Sequence, residues 1–229
     1  MNLQSGEYQV SAALEIRRKF LRSVIKPLLR LLFRVQNLGR EHIPVGTGYV
    51  IAYNHVSLFE PPFILALWPE FPEALAGHDV WDRGGLQGLM VKAFGAIPVK
   101  RGEYDRQSVE RMLSVLRSAR PLLIAPEGGR SHKIGMRRAH AGIAYLVDRA
   151  NVPVVPVAIE GTNDRSLRDA LRGKRLPVTI HIGEPFRLPP ITGTGAARRE
   201  ARQRNADEVL IAIGRMLPEE YHGAYRGEI

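Results

Sequence analysis

Tyr49-Val50-Ile51-Ala52-Tyr53-Asn54-His55-Val56-Ser57-Leu58-Phe59-Glu60-Pro61-Pro62 decides how the rest of the chain is read. Its first five residues form an apolar run of strand length, as expected for a strand buried on both faces. Proline is tolerated in the first helical turn, where N–H groups have no intrahelical partner. Pro61 and Pro62 therefore open a short helix that continues through Phe63-Ile64-Leu65-Ala66-Leu67-Trp68. Open α/β sheets gather their ligands where a strand ends and a helix begins. That places His55 and Glu60 at the rim of a sheet.

A neutral imidazole accepts a proton through one ring nitrogen when an acceptor holds the hydrogen on the other. Glu60, five positions after His55, has the chemistry to be that acceptor and to stabilise the imidazolium, which makes the pair a general base for a hydroxyl. The same two residues also fit a surface histidine beside a carboxylate that merely opens a helix. As metal ligands they number two, with no clear third nearby, and the chain has no cysteine. No metal or cofactor is expected. The lack of cysteine also excludes disulfides and a thiolate nucleophile, and fits a reducing compartment.

Downstream, residues 68–85 read as irregular and aromatic, a candidate lining for an apolar channel. A helix over 86–94 and a short strand over 96–99 deliver Lys100 and Arg101, two cations suited to a phosphate. An amphipathic helix over 105–119 carries Val109, Met112, Leu113 and Leu116 on one face. Pro121-Leu122-Leu123-Ile124-Ala125-Pro126 reads as a buried strand leading into Glu127-Gly128-Gly129-Arg130-Ser131. The glycines there let backbone amides approach an anion, and Arg130 adds countercharge. A helix ends near Ala150. Residues 152–159 form a strand whose two prolines predict an irregular or edge position. Residues 178–182 alternate as a strand, with His181 in a structural role, and 196–217 form a final helix.

The net charge of +10 is uneven. Residues 1–40 hold Arg17, Arg18, Lys19, Arg22, Lys26, Arg30, Arg34 and Arg40 against only Glu7 and Glu15. From Ala12 to Val35 apolar residues recur at spacings of three and four, beside a basic stripe of Arg18, Arg22, Lys26, Arg30 and Arg34. Pro27 is expected to kink or split this helix. No window reaches the ~18 uncharged apolar residues of a spanning helix. The pattern fits a helix lying on an anionic membrane surface, arginines at the headgroups and apolar side in the acyl boundary. Reversing Arg18, Arg22 and Arg30 is expected to release the protein without unfolding it. No nucleic-acid-binding signature accompanies the charge, so no nucleic-acid partner is expected. No cleavable signal is seen.

Four blocks occur in order: Asn54-His55-Val56-Ser57 through Glu60; Gly95 to Arg101; Pro126 to Ser131; and Val152 to Val157, closing at Gly161-Thr162. The series resembles the glycerolipid acyltransferases of the 1-acylglycerol-3-phosphate (lysophosphatidate) acyltransferase type, over about Asn37 to Thr162. The first block of that family normally ends in Asp, here Glu60. Its third is usually Glu-Gly-Thr-Arg-Ser, and here Gly129 stands for the threonine. The resemblance implies an O-acyltransferase moving a fatty acyl group from acyl-CoA or acyl-carrier protein to a lysophospholipid, 1-acylglycerol 3-phosphate first. It implies that His55 and Glu60 are catalytic. It also implies that Asn54, Ser57, Arg101, Glu127, Gly128, Arg130 and Ser131 border the substrates, with Arg101 and Arg130 on phosphate and Glu127 on a glycerol hydroxyl. Other acceptors (glycerol 3-phosphate, a lyso-aminolipid, a glycolipid) and a non-catalytic peripheral lipid-binding protein remain as alternatives. The expected architecture is α/β, a mixed and largely parallel central sheet flanked by helices. Residues 1–36 are the membrane-associating segment and 37–229 the acyltransferase domain. The expected location is cytoplasmic, peripheral or monotopic on the inner face of the membrane.

Overall fold

In the computed structural model, which describes residues 8–82, 84–100 and 105–229, the opening stretch is the centre of the molecule. Strand β2 (Tyr49–Tyr53) has all five residues buried. Val50 and Ala52 join one core, Tyr49, Ile51 and Tyr53 the other, as the two-residue strand period requires. The other strands are β1 (Phe33–Leu38), β3 (Glu73–Gly77), β4 (Ile97–Val99), β5 (Pro121–Ile124), β6 (Val154–Glu160) and β7 (Leu176–Ile182). The seven lie in the order β1-β7-β6-β2-β5-β3-β4. All pairs are parallel except β6 with β7. This is the mixed, largely parallel α/β sheet that the strand–helix alternation implies.

Helices cover both faces. The core on one face takes residues from α5 (Arg106–Arg117), α6 (Gly142–Ala150) and α8 (Gly195–Gly214). The core on the other takes them from α1 (Ala12–Leu32), α2 (Glu60–Leu67), the end of α4 (Gly85–Phe94) and α7 (Ser166–Leu171). A single turn, α3 (His78–Trp81), follows β3. Helix α2 begins at Glu60 with both prolines in its first turn, so the carboxylate of Glu60 lies at the positive end of the helix.

Three local expectations are corrected. Residues 33–38 leave the helix and form the edge strand β1, so the segment boundary at 36/37 falls inside that strand. Residues 73–77, in the stretch read as irregular, form β3 between β5 and β4. Strand β6 is interior despite Pro156, between β2 and β7. Its carbonyls at Val154 and Pro156 accept from Phe186 and Gly183, beyond the end of β7. The missing N–H of Pro156 therefore faces that irregular stretch, and the ladder to β2 loses nothing.

Helix α1 runs unbroken through Pro27. The expected basic stripe is corrected at Arg18 and Arg22. Arg18 is buried: its guanidinium bonds both carboxylate oxygens of Glu73 at 2.7 Å and the Phe94 carbonyl at 2.8 Å. Arg120 at 3.0 Å and the Tyr8 hydroxyl at 2.8 Å complete the shell of Glu73. Burial opposes the charge on Glu73, but hydrogen bonds and charge from Arg18, then Tyr8 and Arg120, hold it below the usual carboxylate range. Arg22 turns inward too, onto the Leu65 and Pro69 carbonyls and over the Phe71 ring at 3.7 Å. Ile16, Phe20, Val24, Leu28 and Leu31 face outward instead. Among the described residues no helix is long and apolar enough to cross a membrane.

Candidate active site

The turn from β2 to α2 carries His55, whose Nδ1 meets Glu60 Oε2 at 2.9 Å. This holds the Nδ1 hydrogen on the carboxylate and leaves Nε2 as the basic nitrogen. The imidazole keeps 11% exposure, whereas Glu60 has none. A buried carboxylate needs donors, and Glu60 has them. The Ser57 backbone N–H lies 3.0 Å from both oxygens, while the hydroxyls of Ser57 and Thr162 donate to Oε1 at 2.8 and 2.5 Å.

The backbone of His55 is fixed as firmly as its ring. Its N–H donates to Glu127 Oε1 at 2.8 Å, and its carbonyl accepts from the Ser131 N–H at 2.9 Å. Glu127 Oε2 accepts from the Arg137 N–H at 2.8 Å, so one buried carboxylate ties the His55 turn to the loop after β5. Burial pushes Glu127 up to about 7. The N–H bonds from Arg137 and His55 and the charge of Arg137 oppose this, and the negative Glu60 adds to it.

His55 lies on a cavity of about 690 Å³, within the range of small-ligand sites. Its walls are mostly apolar, with Val109 and Met112 from α5, Leu123 and Ile124 from β5, and Ile143 and Leu146 from α6, while Arg202 of α8 also lines it. Gly128, Gly129 and His140 border it beside His55. Gly128 has φ +70°, and a Cβ there would sit 2.6 Å from the His140 ring, so backbone and imidazole can pack this closely only at glycine. The cavity thus sets a general base beside a slot of apolar character.

The expected site residues divide. His55 and Glu60 pair, and Gly128 lines the cavity with His55. Arg130 stands 3.4 Å from Asp164 and is mostly buried, and the Ser131 hydroxyl donates to the Lys133 carbonyl. Asn54, Ser57 and Glu127 are buried, with their polar atoms on the protein itself. Asn54 exchanges two bonds with the backbone of Ile159, at 2.9 and 2.8 Å, and pins the site turn to β6. Arg101 lies outside the described residues. Of residues 68–85, Leu75 and Gly77 line the cavity. Phe71 instead lies under Arg22, and Trp81 faces Lys92. Thr162 and His140 were not singled out for the site. Thr162, at the close of the fourth block, and His140, beyond the third, carry no spacing that ties them to His55.

Residues 34–160 match the family described as Acyltransferase. A 1-acyl-sn-glycerol-3-phosphate acyltransferase of Bacillus subtilis is 25% identical over 174 residues, covering 73% of this chain and 81% of that protein. The human 1-acyl-sn-glycerol-3-phosphate acyltransferase alpha is 25% identical over 171 residues, 71% of this chain and 56% of its own length. The crystal structure of the 1-acyl-sn-glycerophosphate (LPA) acyltransferase PlsC from Thermotoga maritima superposes with a TM-score of 0.59 at 20% identity, over 86% of this chain and 80% of that one, a likeness of fold. The family match runs from β1 to the end of β6 and takes in the His55–Glu60 pair, the cavity strands and the Glu127 loop: the chain belongs to the acyltransferase family and is an enzyme of that class.

Proposed function

We propose that the chain moves a fatty acyl group from acyl-CoA or acyl-carrier protein to the free hydroxyl of a lysophospholipid, with 1-acyl-sn-glycerol 3-phosphate as acceptor and phosphatidate as product. The observation that carries this reading is the 2.9 Å His55–Glu60 pair on the rim of an apolar cavity. Nε2 of His55 takes the proton as the acceptor oxygen attacks the thioester carbonyl. Collapse of the tetrahedral intermediate breaks the C–S bond, and the imidazolium returns the proton to the departing thiolate. Glu60 keeps the imidazole oriented and offsets its positive charge. Acyl transfer through Ser57 is disfavoured, because its hydroxyl is buried and already donates to Glu60. The apolar cavity suits an acyl chain, and Arg130 beside the site suits the acceptor phosphate, with Arg101 as its expected companion.

Membrane attachment belongs to the same proposal. The outward residues of α1 follow steps of four, four, four and three and so form one ridge, and Lys19, Arg30 and Arg34 are exposed on the same segment. Such a helix seats its ridge in the acyl boundary of an anionic leaflet, and we place it on the cytoplasmic face, where acyl thioesters are carried. The test is thiol release from palmitoyl-CoA by the purified protein, across a panel of lysophosphatidate, glycerol 3-phosphate, a lyso-aminolipid and a glycolipid. Release that requires lysophosphatidate is expected. Release with another acceptor alone reassigns the substrate, and none with any acceptor or with acyl-carrier-protein thioester overturns catalysis.

A further inference from the structure

We propose that Thr162 is a positioning residue for the transfer, and that its hydroxyl sets the rotation of the carboxylate that Glu60 presents to His55. It rests on the acyl-transfer reading for its effect on rate, but its geometry stands apart from that reading. Thr162 lies two residues past the end of β6, 102 positions from Glu60 in the chain, and is 2% exposed. It therefore touches no substrate and acts only through the carboxylate.

The two oxygens of Glu60 have different partners. Oε1 accepts both hydroxyls, Thr162 at 2.5 Å and Ser57 at 2.8 Å, while Oε2 takes the imidazole at 2.9 Å. The Ser57 N–H sits equally close to both oxygens and does not tell them apart. The hydroxyls alone fix the rotation of the carboxylate. Ser57 belongs to the same turn and moves with it, whereas Thr162 comes from the end of the neighbouring strand β6 and supplies an outside reference.

Thr162 is itself held. Gly161 before it has φ +86° and lies against β7 so closely that a Cβ would fall 2.1 Å from the Pro177 carbonyl oxygen. Its N–H also donates to the Tyr221 hydroxyl at 3.2 Å. The arrangement gives the longer acid a reason. A side chain shortened by one methylene, about 1.5 Å, cannot reach the imidazole and both hydroxyls from the same backbone. Glu60 and Thr162 therefore form one unit.

The test is a cycle of Thr162→Val and Thr162→Ser in the wild-type and Glu60→Asp backgrounds, read by thiol release and by the downfield proton resonance of the His55 Nδ1–H, assigned by its loss in His55→Ala. Thr162→Val should lower kcat about 10–100-fold, the range seen when a partner that orients a reacting group is removed, with both KM values unchanged. Thr162→Ser should restore it to within about threefold. In the Glu60→Asp background, where the carboxylate no longer reaches Thr162, the valine should cost less than about threefold, the non-additivity of residues acting as one unit. The resonance should broaden or shift in the valine variant and stay in the serine variant. Equal losses in both backgrounds, or a valine variant within twofold of wild type with an unmoved resonance, overturn the proposal. If the wild type transfers no acyl group while the resonance follows the hydroxyl, the catalytic reading fails and the positioning role stands.

Discussion

At the scale of single residues, a buried carboxylate can do two different jobs, and the site contains one of each. Glu60 faces the imidazole and is an electrostatic partner; Glu127 faces two backbone N–H groups and is a clamp. Replacing His55 by Ala should lower kcat by about 10²–10⁴-fold with the fold retained, measured by thiol release and melting. Glu60→Gln should fall in the same range, because the amide keeps the length but not the charge that stabilises the imidazolium; a glutamine variant as fast as wild type would sink the paired reading. Glu127 gives a pH signature. Its folded value is raised to about 7 from an ordinary 4.5, so the folded protein binds the proton more tightly. The stability this gives is complete below about 4.5 and lost as pH rises through about 7, a loss on the order of 3 kcal/mol. Urea unfolding of wild type should show this decline, and Glu127→Gln should lack it. A wild type whose stability rises across that window would contradict the assignment.

Elements behave differently, because several were decided by partners far away in the chain. β2 was legible since Tyr49 to Tyr53 are all apolar and a strand buried on both faces needs nothing more. β3 was not: Glu73-Ala74-Leu75-Ala76-Gly77 is rich in helix formers and begins with an acid, and only its place between two strands makes it extended. The first half of β1 reads as part of the helix before it because no glycine or proline stands between Pro27 and Gly39. Arg18 looked like part of a solvated stripe, and its partner Glu73 is 55 residues away, so no local spacing reveals the pair. The His55–Glu60 pair could be read because both members share one turn; Thr162 could not, because its contact is made by the sheet. The anchor of α1 on β3 is therefore testable as an element. Glu73→Gln leaves the buried charge of Arg18 without its partner and should cost about 3–5 kcal/mol in chemical denaturation. A loss below about 1 kcal/mol would mean that the apolar contacts of Leu21, Ile25 and Leu29 hold the helix without the ion pair.

On the scale of the whole molecule, the inward turn of Arg18 and Arg22 changes what a charge-reversal experiment measures. The sequence-based expectation, that reversing Arg18, Arg22 and Arg30 releases the protein without unfolding it, fails for a physical reason. A glutamate at 18 would face Glu73 inside the protein, and the loss would be of fold, not of lipid. The membrane reading has to be tested on the residues that face out. Phe20 and Leu31 are 66% and 68% exposed and support no part of the core. Full burial of such a side chain contributes about 1.5–3 kcal/mol, so Phe20→Glu with Leu31→Glu should weaken binding to anionic vesicles by about a hundredfold or more while the melting transition stays in place. Charge acts separately. Arg30→Glu with Arg34→Glu should lessen binding and flatten its dependence on salt, because exposed cations near a charged leaflet are screened within about a Debye length. Acyl transfer to a lysophospholipid dispersed in detergent should survive all four changes, since none lines the cavity at His55, while transfer to the same lipid embedded in vesicles should fall with binding. If the ridge variant binds vesicles as wild type does, α1 is not the attachment surface. If the charge variant alone releases the protein and the ridge variant does not, the attachment is electrostatic, and the exposed apolar ridge of α1 has another purpose.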